Sequence, residues 1–269
     1  MPRDKVIALL TDFGLEDNYV GTMKAVIAGI NPGAGVIDVT HGVRPQDITG
    51  GAFMLSSSYK YFPEGAIFVV VVDPGVGGER RVLCAQTGKH IFLAPDNGVL
   101  GPVLTEESEE NVVSLVEVSN PKFFLPDVSG TFHGRDIFAP VAAHLSLGVN
   151  PARLGPRINE FKRLDVPGPV NAADGTLSGE VIYVDRFGNL ITNIDRARIE
   201  AGNVRVLSVT IGKKEIEGLS ATYSDGRPGE ALALAGSSGY LEIAENCGNA
   251  SESLGCSRGE KVTVRFNKG

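Results

Sequence analysis

The sequence predicts an α/β protein in two parts: an N-terminal, mostly parallel α/β/α sandwich over residues 1–165, then a smaller all-β, barrel-like domain over residues 175–269. Three observations predict it. Strand-like and helix-like segments alternate through the first part, the order of a parallel sheet covered by helices on both faces. A Pro-, Gly- and Asp-rich linker, LDVPGPVNAADG (164–175), then breaks the alternation. Beyond it apolar residues recur with period two and no helical stripe is found, the pattern of a small barrel.

The elements follow in chain order. KVIALL is a short apolar strand ending in Thr11-Asp12-Phe13-Gly14. Val20, Met23, Val26, Ile27 and Ile30 then repeat at helical spacing from a cap at Asp17 and stop at Asn31-Pro32-Gly33. GVIDVTH is a second strand, and a helix from about Asp47 to Phe62 closes at Pro63-Glu64-Gly65. AIFVVVVD is β-branched and continuously apolar, which places it centrally with both faces covered. RRVLCAQT and KHIFLA form a hairpin, and Gly134 to Leu147 is helical. After the linker, GEVIYVD, NLITNI, VRVLSVTI, YLEIA and KVTVRF read as strands.

Composition removes several classes of function. With 25 Lys and Arg against 32 Asp and Glu, and no basic cluster, no surface is available to neutralise nucleic-acid phosphates. The apolar share of 42% supports a packed core rather than disorder. The longest apolar run, Ala66 to Val72, is far short of the roughly 20 residues of a membrane helix. Val6 to Leu10 is too short for a secretory apolar region of about 7–15 residues, so a soluble, cytoplasmic protein is expected. Cys84 reads as a small core residue, Cys247 and Cys256 are not expected to pair, and no Cys/His spacing suggests zinc.

In a doubly wound sheet ligands sit beyond the carboxyl ends of the strands, where Asp12 and Asp73 both fall. One carboxylate there is as easily a turn former. Two on neighbouring strands, each followed by a Gly-containing loop, point to a ligand. Asp73-Pro-Gly-Val-Gly-Gly-Glu-Arg-Arg is neither a dinucleotide fingerprint, since Arg80 stands where Gly is needed, nor a P-loop. His133 in Phe132-His133-Gly134-Arg135-Asp136 lies in a glycine-flanked turn. His41 ranks below it, and His90 and His144 read as surface or helix-face residues. Asp185-Arg186-Phe187-Gly188-Asn189 offers an aromatic face among polar groups, and Gly236-Ser237-Ser238-Gly239-Tyr240 a serine pair that is not a nucleophile elbow. The residues alone leave three readings: an enzyme acting on a nucleoside-like ligand between the domains; second, a metallohydrolase using Asp12, Asp73, His133 and Asp136; third, a non-catalytic nucleoside-binding or scaffold protein.

TDFG (11–14), DVTHGVRPQD (38–47), FPEGAIFVVVVDPGVGGERR (62–81), APDNGVLGPV (94–103), FHGRD (132–136), DRFGNLITNI (185–194) and SSGYLEIA (237–244) together resemble the S-adenosylmethionine hydroxide adenosyltransferases, relatives of the fluorinating and chlorinating nucleosidases. The resemblance runs over essentially the whole chain. It implies hydrolysis of S-adenosylmethionine to adenosine and methionine by in-line attack of water or hydroxide on the ribose C5′, with no cofactor and no metal. The family's Asp-Arg-His triad falls on Asp73, Arg80 and His133, Arg80 rather than Arg81 matching the motif's spacing. Asp12 resembles the carboxylate that chelates the ribose hydroxyls, and Asp185 the residue facing the methionine ammonium. Phe187, Asn189 and Tyr223 match adenine contacts, Ser237 a contact to the methionine carboxylate, and Asn246 to Ala250 a run of backbone contacts. The halogenating relatives carry tyrosine at Asp73, tryptophan at Gln46 and an extra loop near Gly88, and these departures point to hydrolysis rather than halide-dependent chemistry. They also carry arginine at Ser238, which implies a weaker or differently arranged carboxylate contact here. The resemblance further implies homotrimers with sites at subunit interfaces.

Overall fold

A computed structural model describes residues 5–110, 114–164, 167–200 and 205–267, with no side chains described for 108–110. The chain divides into two compact units, 1–165 and 166–269.

The first unit is built in the order β1 (Val6–Thr11), α1 (Tyr19–Ile30), β2 (Gly35–Thr40), α2 (Ile48–Ser58), β3 (Ile67–Val71), β4 (Val82–Gln86), β5 (Ile91–Pro95), α3 (Gly101–Glu110), β6 (Ser114–Glu117), α4 (Ala139–Ser146) and β7 (Arg157–Ile158). Its seven strands lie in the order β2-β1-β3-β5-β4-β6-β7. The first four places are parallel, and β4, β6 and β7 extend them antiparallel. The hairpin β4–β5 forms as the sequence predicts, but it inserts β5 rather than β4 beside β3. Strand β7 is only two residues long and carries no period to detect.

The apolar runs are continuous because both sheet faces are covered. On β1, Ile7 and Leu9 join Met23, Ile27, Val141 and Leu145 of α1 and α4, while Ala8 and Leu10 join Ala52, Leu55, Val103 and Leu104 of α2 and α3. Each Ile, Leu, Val or Met among them contributes about 1.5–3 kcal/mol relative to exposure, and the alanines less. Asp47 caps α2 by accepting from Gly50 N at 3.0 Å. At α1 the N-cap is Asn18 rather than Asp17, and its side chain makes no capping bond. The helix predicted over 134–147 begins as a π-helical turn, Gly134–Phe138, and only then becomes α4. Cys84 is fully buried, which pushes its thiol up to about 12 and leaves it a core residue.

The second unit runs β8 (Val170–Asn171), β9 (Leu177–Val184), β10 (Leu190–Asp195), α5 (Arg196–Ile199), β11 (Val206–Ile211), β12 (Lys214–Glu217), β13 (Ala231–Ala235), β14 (Tyr240–Glu245), α6 (Ala250–Leu254) and β15 (Lys261–Phe266). Its strands follow the order β12-β11-β15-β9-β10-β14-β13, with β8 paired to β9, and every pairing is antiparallel. Ser220 N donates to Ala233 O at 2.7 Å, which ties the segment after β12 to β13 and nearly closes the barrel. Val181, Leu190, Ile194, Val209, Leu241, Ile243, Val262 and Val264 fill it. Two short helices, α5 and α6, stand where none was expected. Of the stretch read as linker, residues 165 and 166 lie outside the described residues, and 170–171 form β8.

Candidate active site

Strand β1 lies between β2 and β3, so the chain leaves it in opposite directions, and the crevice beyond the carboxyl ends of β1 and β3 is the expected ligand position. Asp12 directly follows β1, and Asp73 stands two residues beyond β3. Asp12 Oδ2 accepts from Gln46 N at 2.7 Å, and Gln46 holds a left-handed φ of 66° to present that N–H. Burial raises the Asp12 carboxyl above its usual range, the Gln46 bond opposes this, and the nearby charge of Asp73 adds to it.

Asp73 is gripped by one arginine. Arg80 Nε lies 3.1 Å from Asp73 Oδ1 and 2.9 Å from Oδ2, and Nη2 donates to Oδ2 at 2.6 Å. Both side chains are nearly buried, at 9% and 4% exposure. The same Nη2 lies 2.7 Å from His133 Nδ1. Arg81 turns away: its Nε and Nη2 bind Asp96 Oδ2 at 2.9 and 2.6 Å.

Glycines bring these segments together. Gly77 holds a φ of 76°, and a Cβ there would run into the Gly130 carbonyl, so the 73–81 loop lies directly on the 129–131 loop. Asp136, fully buried, anchors that second loop by accepting from Ser129 N at 2.9 Å and Ser129 Oγ at 2.7 Å. Burial alone would raise the Asp136 carboxyl, but bonds from Arg135 and Ser129 outweigh it and hold the group below its usual range. His133 precedes the π-helical turn, a device common at functional sites. Burial lowers its pKa, and the Arg80 charge lowers it further. An arginine only donates, so His133 Nδ1 must be the unprotonated acceptor of a neutral imidazole.

The other histidines do not enter. His41 is buried and braces the β1 terminus, with Nδ1 2.8 Å from Thr11 Oγ1 and Nε2 3.0 Å from Asp38 Oδ1. His90, expected as a surface or helix-face residue, instead borders strand β5 and is buried against Tyr59, Phe68 and Phe92. The four residues of the metallohydrolase reading are otherwise engaged, Asp12 by Gln46 N, Asp136 by Ser129 and Arg135, and Asp73 and His133 by Arg80. Among the described residues no three His, Cys, Asp or Glu side chains are grouped to hold a metal ion.

The second unit gathers the remaining candidates at the β9–β10 turn and the ends of β13 and β14. Asp185 folds that turn, accepting from Phe187 N, Asn189 N and Asn189 Nδ2, each at 2.9 Å. Phe187 is consequently thrust outward, 75% exposed. Gly188 abuts the Asn249 side chain, and its carbonyl accepts from Ser251 N at 2.9 Å, which fixes the 246–250 segment to the turn. Ala250 opens α6 and is fully buried, leaving only its backbone to offer. Ser237 is exposed, whereas Ser238 Oγ is buried with no hydrogen-bond partner. Tyr223 OH donates to Glu242 Oε1 at 2.6 Å. Glu242 carries no sequence signal: in YLEIA it reads as the outward residue of an alternating strand, yet it is buried.

Comparison with known proteins bears on both units. Residues 7–155 match the SAM hydroxide adenosyltransferase N-terminal domain, and 179–263 the C-terminal domain of the same family. A Thermus thermophilus protein named (R)-S-adenosyl-L-methionine hydrolase is 39% identical, over 96% of this chain and 98% of its own. A Salinispora tropica protein of the same name is 38% identical, over 96% and 97%. The crystal structure of an uncharacterized conserved protein from Thermotoga maritima superposes with a TM-score of 0.88 at 39% identity, covering 96% of this chain and 99% of that one. With both of the family's domains matched in order across most of its length, the chain belongs to the SAM hydroxide adenosyltransferase family.

Proposed function

We propose that this protein hydrolyses S-adenosyl-L-methionine at the ribose C5′, giving adenosine and methionine. The observation that carries the reading is the Asp73–Arg80–His133 constellation beyond the carboxyl end of β3, electrostatically coupled to Asp12 beyond β1. The sulfonium is already a good leaving group and departs as a neutral thioether, so no general acid is required. The obstacle is the nucleophile, since bulk water has a pKa of about 15.7. One water must be polarised and held in line, about 3–3.5 Å from C5′.

The hydrogen bonds support a role for each residue. Asp73 Oδ1 receives only the longer Nε contact from Arg80 and keeps a lone pair to orient a water and take its proton. Arg80 stabilises developing hydroxide charge in a nearly dry setting, where such stabilisation is strongest. His133, with its lone pair held by Nη2, keeps the guanidinium aimed and completes the relay when that contact opens. The C–S bond breaks as the new C–O bond forms, its electron pair leaves with sulfur, and the water's proton passes through Asp73 to solvent.

For binding, the Asp12 carboxylate suits the two ribose hydroxyls. Phe187 and Tyr223 supply aromatic faces for adenine, with Asn189 as its hydrogen-bonding partner, and Asp185 the charge for the methionine ammonium. Ser237 and the unpartnered Ser238 hydroxyl meet the methionine carboxylate, and the 246–250 backbone up to Ala250 completes the pocket. The trimer implied by the resemblance belongs to this reading, the Asp73 group of one subunit serving the Asp185 group of its neighbour. The free thiols of Cys84, Cys247 and Cys256 support a reducing, cytoplasmic setting. The relatives' name further directs the proposal to the (R) sulfonium epimer.

The test is incubation of the purified protein with each separated sulfonium epimer in H₂¹⁸O, followed by mass spectrometry of the nucleoside. Adenosine carrying ¹⁸O at the 5′ position is expected, faster from the (R) epimer. Binding without turnover of either epimer would overturn hydrolysis, and ¹⁸O elsewhere would overturn attack at C5′.

A further inference from the structure

Tyr223 is an exposed ring tied down by a buried charge. The residue is 45% exposed, yet its hydroxyl donates at 2.6 Å to Glu242, which is 5% exposed. Glu242 sits on the interior strand β14, opposite Ile191 of β10 and Leu234 of β13, so ladders on both sides fix its backbone. Gly236 makes room for the carboxylate: a Cβ there would come within 2.5 Å of Glu242 Oε2. Burying a carboxylate in a small barrel costs free energy that an apolar residue would avoid. The negative charge of Asp185 adds to that cost, and both it and burial push the Glu242 carboxyl up.

We propose that Glu242 is a positioning residue for the nucleoside, holding the Tyr223 ring as a fixed wall against which the flat base stacks. The inference rests on the reading of Tyr223 as an adenine contact and deepens it. An exposed tyrosine otherwise samples several rotamers, and a ligand that stacks on it must first immobilise it. The Glu242 bond removes that freedom in advance, so the ordering cost is met in folding rather than in binding. The tether needs an acceptor at Oε1, not a charge, because the phenol donates.

The experiment is calorimetry with adenosine and with S-adenosylmethionine on wild type, Tyr223→Phe, Glu242→Leu, Glu242→Gln, Tyr223→Ala and the Tyr223→Phe/Glu242→Leu double variant, beside steady-state kinetics. Tyr223→Phe and Glu242→Leu are each expected to weaken both ligands by about tenfold, the cost of immobilising one freed side chain on binding. The double variant should lose no more than either alone, and the kinetic loss should fall on KM rather than kcat. Glu242→Gln should rescue binding to within about twofold of wild type, which a charge-dependent role would not allow. Wild-type affinity in Tyr223→Phe, with Tyr223→Ala weakened, overturns the tether while leaving the adenine contact standing. Weakening of the cationic ligand alone in Glu242→Gln overturns it in favour of a counter-charge. Tyr223→Ala binding like wild type overturns the adenine contact itself. If Glu242→Leu fails to fold, Tyr223→Phe still decides, since it removes a single hydroxyl and leaves the strand β14 side chains unchanged.

Discussion

Arg80 Nη2 lies 2.7 Å from His133 Nδ1, and this single contact decides the protonation state of the histidine. The ring's one lone pair faces an obligate donor, so the imidazole is neutral, and protonating it requires Arg80 to withdraw. Asp73 is thus the one member of the trio with an acceptor still free to face a water.

Asp73→Ala and His133→Ala are expected to reduce kcat by about 100-fold or more with little change in KM, because in the proposed reaction they act on water rather than on substrate. Steady-state kinetics with calorimetry of substrate binding checks this. A rise in KM at unchanged kcat would reassign both residues to binding.

Asp12→Ala is expected to act in the opposite sense, weakening substrate binding by the loss of hydrogen bonds at about 1.5–3 kcal/mol each. Because burial raises the Asp12 carboxyl, the ionised, chelating form is lost on acidification sooner than for an ordinary aspartate. Affinity should therefore fall with pH from above the usual value of 3.8, and Asp12→Asn should abolish that dependence.

Gly77→Ala is expected to cost more than a backbone penalty of about 1–3 kcal/mol, since the new methyl meets the Gly130 carbonyl as well as a positive φ. Displacing the loop moves Arg80 away from His133, so kcat should drop along with Tm. Wild-type kcat in a folded Gly77→Ala would show that the close approach of the two loops does not matter to the chemistry.

Acidification should destabilise the fold below the ordinary histidine value of 6.5. Burial lowers the pKa of His90, His133 and His144 alike, so the unfolded chain binds protons that the folded chain resists. Stability from this source is complete above 6.5 and declines as pH falls toward the folded-state values. Tm at about pH 5.5 should lie below Tm at about pH 7.5, and His90→Gln should narrow the gap.

The parallel core was legible because β1 and β3 are covered on both faces, which makes them uninterrupted apolar runs, and because α1 shows its stripe of Val20, Met23 and Ile27. The antiparallel extension was not legible: β7 has two residues, and on its other side β6 pairs with β4, past the intervening β5. α5 and α6, at four and five residues, are too short for a helical period to emerge. Asp73 and Arg80 stand out by their glycine-rich setting. Glu242 does not, because its burial depends on an absent side chain at Gly236 and a tyrosine 19 residues earlier. His90 was misjudged for the same reason: two of the three rings that enclose it, Tyr59 and Phe68, come from other segments.

The bond between Arg80 and His133 closes a span of 53 residues, and the Gly77–Gly130 approach closes a similar one. Contacts of such sequence separation form late, after local helices and hairpins. A nascent or partly unfolded chain therefore displays Asp12 and Asp73 with no aimed guanidinium between them and the histidine. Hydrolytic competence becomes a reporter of completed folding, and during refolding it should return after the backbone signal has already recovered.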